Sequence, residues 1–520
     1  MKLFSTLLVA SILPLLCQAP VRGEVKLPNI FGPHMVLQQQ QPIRVFGSAD
    51  PGEKVTVSFA GKKGTATAGT DRRWQVTLPA MQASNKPQNM AIEGKNRIQL
   101  TDILIGEVWI CSGQSNMEWW LQNSANAKQE IAAADYPEIR LFDVTGHTMH
   151  REAQANTTGR WKLCKPATAR SFSAVGYFFG RDLYQKTNVP IGLVGSNWGG
   201  TKIEPWTTVD GFASVPELKH YSDGLKKLDL STREGKEHHR EYLDRLTQWI
   251  SKAHEKVNRN EPTGSPPTPP SLHDLDGATA IYNSMVHGLA PYSLRGAIWY
   301  QGESNGDEGE SYYHKMRALI NGWRKAFQNP ELAFYFVQLA NYREGNKPEE
   351  RWAPLREAQR KTLRVPHTGM AVTTDIGNPA DIHPRNKQDV GRRLALWALR
   401  DIHKQDVTPS GPLFRELKIE GNTARVLFDY APNGLMVGKK KGLAPTREVK
   451  DGKLSDFLIA GADKKWQPAN ATIDGNDVLL SCPSVPKPVA VRYAFRQNPQ
   501  GANLYNTEGL PASPFRSDSW

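Results

Sequence analysis

Between about residues 101 and 407, short apolar runs with the composition of strands alternate with longer segments of helical periodicity. That alternation constrains the fold more than any other feature of the chain. A chain that returns between strands through helices builds a parallel sheet with helices on both faces. The expected strands are 103–111, 139–144, 191–196, 296–300, 333–339 and 370–374, and the expected helices include 172–185 and 387–400. In the last of these, Val390, Leu394 and Trp397 fall at i, i+4 and i+7 and give one buried stripe. Open sheets of this kind bind ligands beyond the carboxyl ends of their strands, so the polar residues there are the ones to weigh.

The full length of 520 residues exceeds one hydrophobic core, and the flanks differ from the middle. Lys2, an apolar run over 3–16 and small or polar residues up to Gly23 have the order of a secretory signal, so 1–23 is expected to be removed and the protein exported, periplasmic or extracellular. Cys17 follows the bulky Leu16, which argues against a lipoprotein, and no run approaches the roughly 18 apolar residues of a membrane helix. The remaining Cys111, Cys164 and Cys482 allow one bridge at most. Residues 24–100 read as a small β-sandwich or jelly-roll-like module, 101–407 as the α/β domain and 408–520 as a second β-rich module. An insertion at 210–275 carries Tyr242, Leu243, Leu246, Trp249, Ile250 and Ala253 at helical spacing and ends in a proline-rich stretch; a packed helical hairpin is expected there. The net charge of +13 comes from scattered Lys and Arg apart from Lys439, Lys440 and Lys441, which describes a solvated basic surface, and no nucleic-acid-binding motif accompanies it.

Four segments follow expected strands and hold the candidate chemistry. The first runs through Gly113, Gln114, Ser115 and Asn116, where a serine at a tight strand-to-helix turn has an exposed hydroxyl and backbone N–H groups beside it. By itself it would be a helix-capping serine. Met117 stands where the Gly-x-Ser-x-Gly elbow has its second glycine, so this is a different arrangement. The second holds Trp198, Gly199 and Gly200, which let the backbone approach a ligand or simply turn the chain. The third crowds Gln301, Glu303 and Asn305 at a strand end, and the fourth places Asp381 and His383 in the loop before the 387–400 helix. An imidazole in that loop could take the serine proton and return it to a leaving alcohol.

In this order the four segments resemble the nucleophile, glycine, third and histidine blocks of the sialate O-acetylesterase family of the SGNH-hydrolase superfamily. The opening Val25-Lys-Leu-Pro and Met35-Val-Leu-Gln-Gln are similar to the start of its bacterial members. The resemblance implies a three-layer, flavodoxin-like SGNH hydrolase domain with a parallel sheet, flanked by β-rich modules, that deacetylates sugars without metal or cofactor. It gives Ser115 the nucleophile role and His383 the base, with an oxyanion hole from the N–H groups of Ser115 and of Gly199 or Gly200, joined by Gln301. It also places Gln114, Asn116, Trp198, Glu303 and Asn305 against the sugar. The superfamily carries an aspartate three residues before its histidine, but here that position is Ala380. Asp381 is the first choice for the acid, and Glu303 is its rival.

The expected partner is an acetylated carbohydrate, with no nucleic acid and no membrane span. Hydrolysis of acetyl esters on sialic acid or a related sugar leads; xylan or another plant or algal glycan would use the same parts. The alternative of another class is a glycan-binding protein with a decayed hydrolase domain, against which the intact nucleophile, base and donors speak. A glycosidase would need two carboxylates across a sugar, for which Glu303 and Asp381 are the only pair.

Overall fold

The computed structural model of the chain describes residues 24–343 and 349–520; the expected signal segment lies outside them. The sheet is built from β1 (Arg97–Gly113), β2 (Tyr136–Asp143), β3 (Trp161–Cys164), β4 (Ile191–Asn197), β5 (Gly296–Tyr300), β6 (Ala333–Val337) and β7 (Thr368–Ala371). Their spatial order is β7-β6-β5-β1-β4-β2-β3, parallel throughout except for β3, which runs antiparallel to β2 at the edge. β4 and β5 are buried along their whole length, which is why both read as unbroken apolar runs rather than as alternations.

β1 joins two regions. Exposure varies along its first six residues, and every residue from Ile103 to Gly113 is buried. Its first half pairs antiparallel with Ser84–Glu93, and its second half pairs with β4 and β5. The boundary expected at 100 therefore falls inside one strand. The main apolar core draws on residues from Val25 to Leu413, a small separate cluster holds Phe212, Val215 and Tyr221, and another, from Ala424 to Phe515, fills the C-terminal antiparallel sheets.

The helices used below are α1 (Ser115–Glu118), α2 (Ala174–Thr187), α3 (Lys219–Leu228), α4 (Arg233–Asn258), α5 (Ser311–Ala326), α6 (Ala353–Thr362) and α7 (Lys387–Asp401). Neighbouring residues of a strand point to opposite faces, so ring contacts tell which helix covers which side. Trp109 packs on Phe179 of α2 and Tyr335 on Trp397 of α7. On the other face, Trp299 and Phe334 pack on Trp323 of α5. α2 starts where Ser173 accepts the Gly176 N–H, and α7 where Asn386 accepts the Asp389 N–H.

The insertion contains the helices α3 and α4, but α4 is less packed than its pattern implies. Of the six residues expected on its apolar face only Ala253 is buried, while Leu243 and Ile250 are 55% and 44% exposed. Among the described residues no helix is long and apolar enough to cross a membrane.

Candidate active site

Strand register brings three of the four segments to one edge. Gly113 pairs with both Asn197 and Tyr300, so β1, β4 and β5 release their loops at the same level. Gly113 has φ +137°, and a Cβ there would lie 2.1 Å from the Tyr300 carbonyl oxygen, so only glycine fits the turn. The Gln114 N–H donates to that same carbonyl at 2.9 Å, and the Gln114 carbonyl accepts the N–H groups of Met117 and Glu118. Ser115 is thereby fixed as the first residue of α1, half-buried at the strand end.

His383 arrives from the opposite end of the domain. Its Nε2 lies 2.9 Å from Ser115 Oγ across 268 residues of sequence. Trp119 stacks on the imidazole at 5.0 Å with an interplanar angle of 15°. Burial holds the histidine below its ordinary pKa, the Lys387 charge acts in the same direction, and Asp381 opposes both. Asp381 Oδ1 accepts the backbone N–H of His383 at 2.9 Å and stands 3.7 Å from Nδ1, just beyond a hydrogen bond.

In this structure Glu303 bonds Asn116 rather than the histidine. Its Oε1 accepts the Asn116 Nδ2–H at 2.6 Å, while Oε2 is buried without a partner among the described residues. Burial pushes its carboxyl upward, against the hydrogen bond from Asn116 and the charge of Lys387. Asn116 is 1% exposed: beyond Glu303, its amide donates to the Ile382 carbonyl at 3.0 Å and accepts from Lys387 Nζ at 2.5 Å. Every polar atom of its side chain is thus bonded inside the protein.

Gln301 and Asn305 are likewise bonded within the protein. Gln301 Nε2 donates to the Thr201 carbonyl and to Asn305 Oδ1, and its Oε1 accepts from Tyr312. Asn305 also accepts the Ile203 N–H at 3.0 Å and donates to Glu204 and Glu308, both of which Lys315 bonds. These residues knit the glycine loop to the loop after β5. Gln114 Oε1 accepts the N–H groups of Gly302 and Ser304 and ties the nucleophile turn to that same loop.

The glycine loop itself comes close to the nucleophile: a Cβ on Gly199 would lie 3.2 Å from Ser115 Cβ. Its N–H donates to Glu118 Oε2 at 2.6 Å, and Glu118 Oε1 is 3.2 Å from Nε2 of His147. Half-exposed Trp198 stacks on that imidazole at 4.9 Å and 9°. Gly200 is exposed, with φ +74°. Glu118, His147 and Lys387 were not singled out in the sequence; contacts bridging 81 or 271 residues leave no local pattern there. Among the described residues no group of three or more His, Cys, Asp and Glu side chains could hold a metal ion.

A serine hydroxyl on an imidazole at the strand ends, with glycine N–H groups alongside, is an arrangement shared by serine hydrolases of several kinds, and the comparisons with known proteins narrow the class to a carboxylic ester hydrolase. The family model described as carbohydrate esterase, sialic acid-specific acetylesterase, matches residues 105–258 and 271–400. A sialate O-acetylesterase of Mus musculus is 30% identical over 536 residues, 93% of this chain and 92% of its own. That of Homo sapiens is 27% identical over 98% of this chain and 96% of its own. The crystal structure of a carbohydrate acetylesterase from Xanthomonas citri superposes with a TM-score of 0.76 at 36% identity, covering 96% of this chain and all of that one (100%). The chain belongs to the sialic acid-specific acetylesterase family of carbohydrate esterases.

Proposed function

We propose that the chain is an exported O-acetylesterase that deacetylates sialic acid or a related sugar, with Ser115 as nucleophile and His383 as general base. One observation carries the reading: the 2.9 Å approach of His383 Nε2 to Ser115 Oγ at the carboxyl edge of the sheet. The family description and the names of the relatives supply the substrate class. The sheet with helices on both faces is read as the three-layer SGNH hydrolase arrangement, and the segment 1–23 as the export signal.

Ser115 Oγ attacks the acetyl carbonyl carbon while its proton passes to His383 Nε2. The tetrahedral oxyanion takes the N–H of Ser115 and that of Gly199 or Gly200. Glu118 Oε2 holds the Gly199 N–H in the structure, so this carboxylate moves aside as the ester enters. The bond to the sugar oxygen then breaks, and the alcohol leaves with the proton from His383. Water attacks the acyl-serine by the same route and releases acetate, so one ester and one water give one alcohol and one acetate. Asp381, closer to Nδ1 than any other carboxylate recorded, is assigned the orienting role.

The test is to assay the chain from residue 24 onward on acetylated sialic acids, acetylated xylan and a small chromogenic acetate. Ser115→Ala should lower turnover by about 10⁶ with circular dichroism unchanged, since loss of the nucleophile costs that much in serine hydrolases. An organophosphonate should add once, on the Ser115 peptide. A Ser115→Ala enzyme with a tenth of wild-type turnover sinks the assignment, and turnover of xylan alone moves the substrate to plant glycans.

A further inference from the structure

Lys387 is 0% exposed, yet it is a lysine, and it is the first residue of α7. Both facts work against it. A buried ammonium loses its hydration, and the N-terminal end of a helix is the positive end of its dipole. Its ammonium donates to Asn116 Oδ1 at 2.5 Å, and its Nζ lies 5.3 Å from the Tyr300 ring centre and 5.7 Å from that of Trp119. A methionine would fill such an apolar slot more cheaply, so the charge calls for a purpose.

The purpose lies in the amide it holds. Asn116 follows Ser115 in the chain, and Ile382 precedes His383. One Asn116 Nδ2–H bond to the Ile382 carbonyl, at 3.0 Å, therefore ties the nucleophile turn to the loop of the base. An asparagine side chain has nearly the same shape when flipped, and only its partners decide which end is nitrogen. As an ammonium Lys387 can only donate, so it selects the oxygen for its own side and turns the NH₂ group toward Glu303 and Ile382.

We infer that Lys387 is a positioning residue for the esterase reaction: its ammonium fixes the Asn116 amide, and that amide locks Ser115 and His383 in reacting distance. The inference rests on the Ser115–His383 reading. Lys387 also acts through charge. Facing it are Glu303 from the loop after β5, Asp381 and His383 from the loop before α7, Asn116 and Trp119 of the nucleophile segment, and Tyr300 of β5. His383 in turn faces Asp381, Lys387, Ser115 and Trp119. Burial brings the lysine down to about 7, against the pull of Glu303 and Asp381. While it is protonated, its charge adds to burial in disfavouring imidazolium, leaving the neutral form that a base needs.

The pH dependence of kcat and kcat/KM on a chromogenic acetate separates this role from plain packing. In Lys387→Met, kcat should fall by about tenfold to a hundredfold, the scale of a small misplacement of reacting groups, with KM within about threefold of wild type. The acid limb of kcat/KM should move up by about half a pH unit, because the charge that disfavours imidazolium is gone. Should that variant fail to fold, Asn116→Ala supplies the second arm: a similar loss of kcat, with the acid limb unmoved because Lys387 still faces His383. An unshifted acid limb with wild-type kcat in Lys387→Met, or wild-type kcat in Asn116→Ala, overturns the inference. Organophosphonate labelling of Ser115 in the same variants keeps the two readings apart, since its loss in the wild-type enzyme would strike at the nucleophile and not at the lysine.

Discussion

Asp381 Oδ1 sits 3.7 Å from His383 Nδ1 while taking the backbone N–H of the same residue at 2.9 Å. A small rotation of the carboxylate closes the first distance without losing the loop. Glu303 has no such option, because its Oε1 is bonded to Asn116 and its Oε2 is shut inside. Asp381→Asn should therefore cost about 10² to 10³ in kcat, less than the roughly 10⁴ of a fully engaged triad aspartate because this one is partly exposed. Glu303→Gln still offers an oxygen to Asn116 and should cost about tenfold or less, as the loss of one charge-assisted bond. The reverse ranking in steady-state kinetics would hand the imidazole to Glu303. The sign of the pH effect gives a second check. Asp381 raises the His383 pKa, so its amide variant should carry the acid limb of kcat/KM to lower pH, opposite to the shift expected for Lys387→Met. Ser115 and His383 were legible in the sequence because each lies in a block with its own local pattern. Glu118 on Gly199 was not, since a side chain reaching across 81 residues to a backbone N–H has no signature in either segment.

The strands and helices that carry these residues were legible because burial on both faces writes itself as apolar runs, as in Ile191–Asn197 and Gly296–Tyr300. The edge strand Trp161–Cys164 was missed, being four residues with two only half-buried. The 17-residue β1 was read as two things, because its character changes from exposed and buried residues mixed to continuous burial at Ile103. Helix-to-helix fit was also beyond the sequence. α7 crosses α2 at Gly391, where a Cβ would stand 2.6 Å from Phe178 Cβ, 2.7 Å from the Phe179 nitrogen and 2.9 Å from the Phe178 carbonyl carbon. Two of those three atoms are backbone, so the helices must part. Gly391→Ala should destabilise by about 2 to 3 kcal/mol through overpacking, the gain in helix propensity notwithstanding. A calorimetric Tm should drop by several degrees, on the order of 2–4 °C per kcal/mol for a domain of this kind, with kcat of the folded enzyme near wild type. An unchanged Tm would mean that the two helices have slack that the static packing conceals.

At the scale of the molecule, a buried guanidinium is one of the side chains that couple the C-terminal sheets to the loops near the active site, beside Gln338 on Ser513 and Lys440 on Asp389. Arg356 of α6 is 0% exposed and donates to the carbonyls of Leu339 (2.7 Å) and Ala340 (2.6 Å) just after β6. It donates equally to the carbonyls of Arg496 (2.7 Å) and Gln497 (2.8 Å) in the C-terminal region. All four recorded partners are carbonyls and none is a carboxylate, so burial pulls the guanidinium down to about 9. Its planar fork suits four fixed acceptors where a lysine could not reach them all. The chain it clamps leads to Asn341, whose side chain packs against the place where Gly377 begins the His383 loop. Arg356→Met keeps the volume of the stem but strands four carbonyls, three of them in buried hydrogen bonds. At about 1 kcal/mol or more for each unsatisfied group, the loss should reach about 4 kcal/mol. Two readouts follow: a Tm lowered well beyond that of Gly391→Ala, and proteolytic cleavage between 401 and 413, the segment joining α7 to the C-terminal sheets, that the wild type resists. Because the same clamp steadies the start of the His383 loop, kcat should fall as well, in the enzyme that remains folded. A variant that loses Tm but keeps both its resistance to protease and its kcat would show that Arg356 stabilises the fold without steadying the His383 loop, the other contacts holding the two regions together.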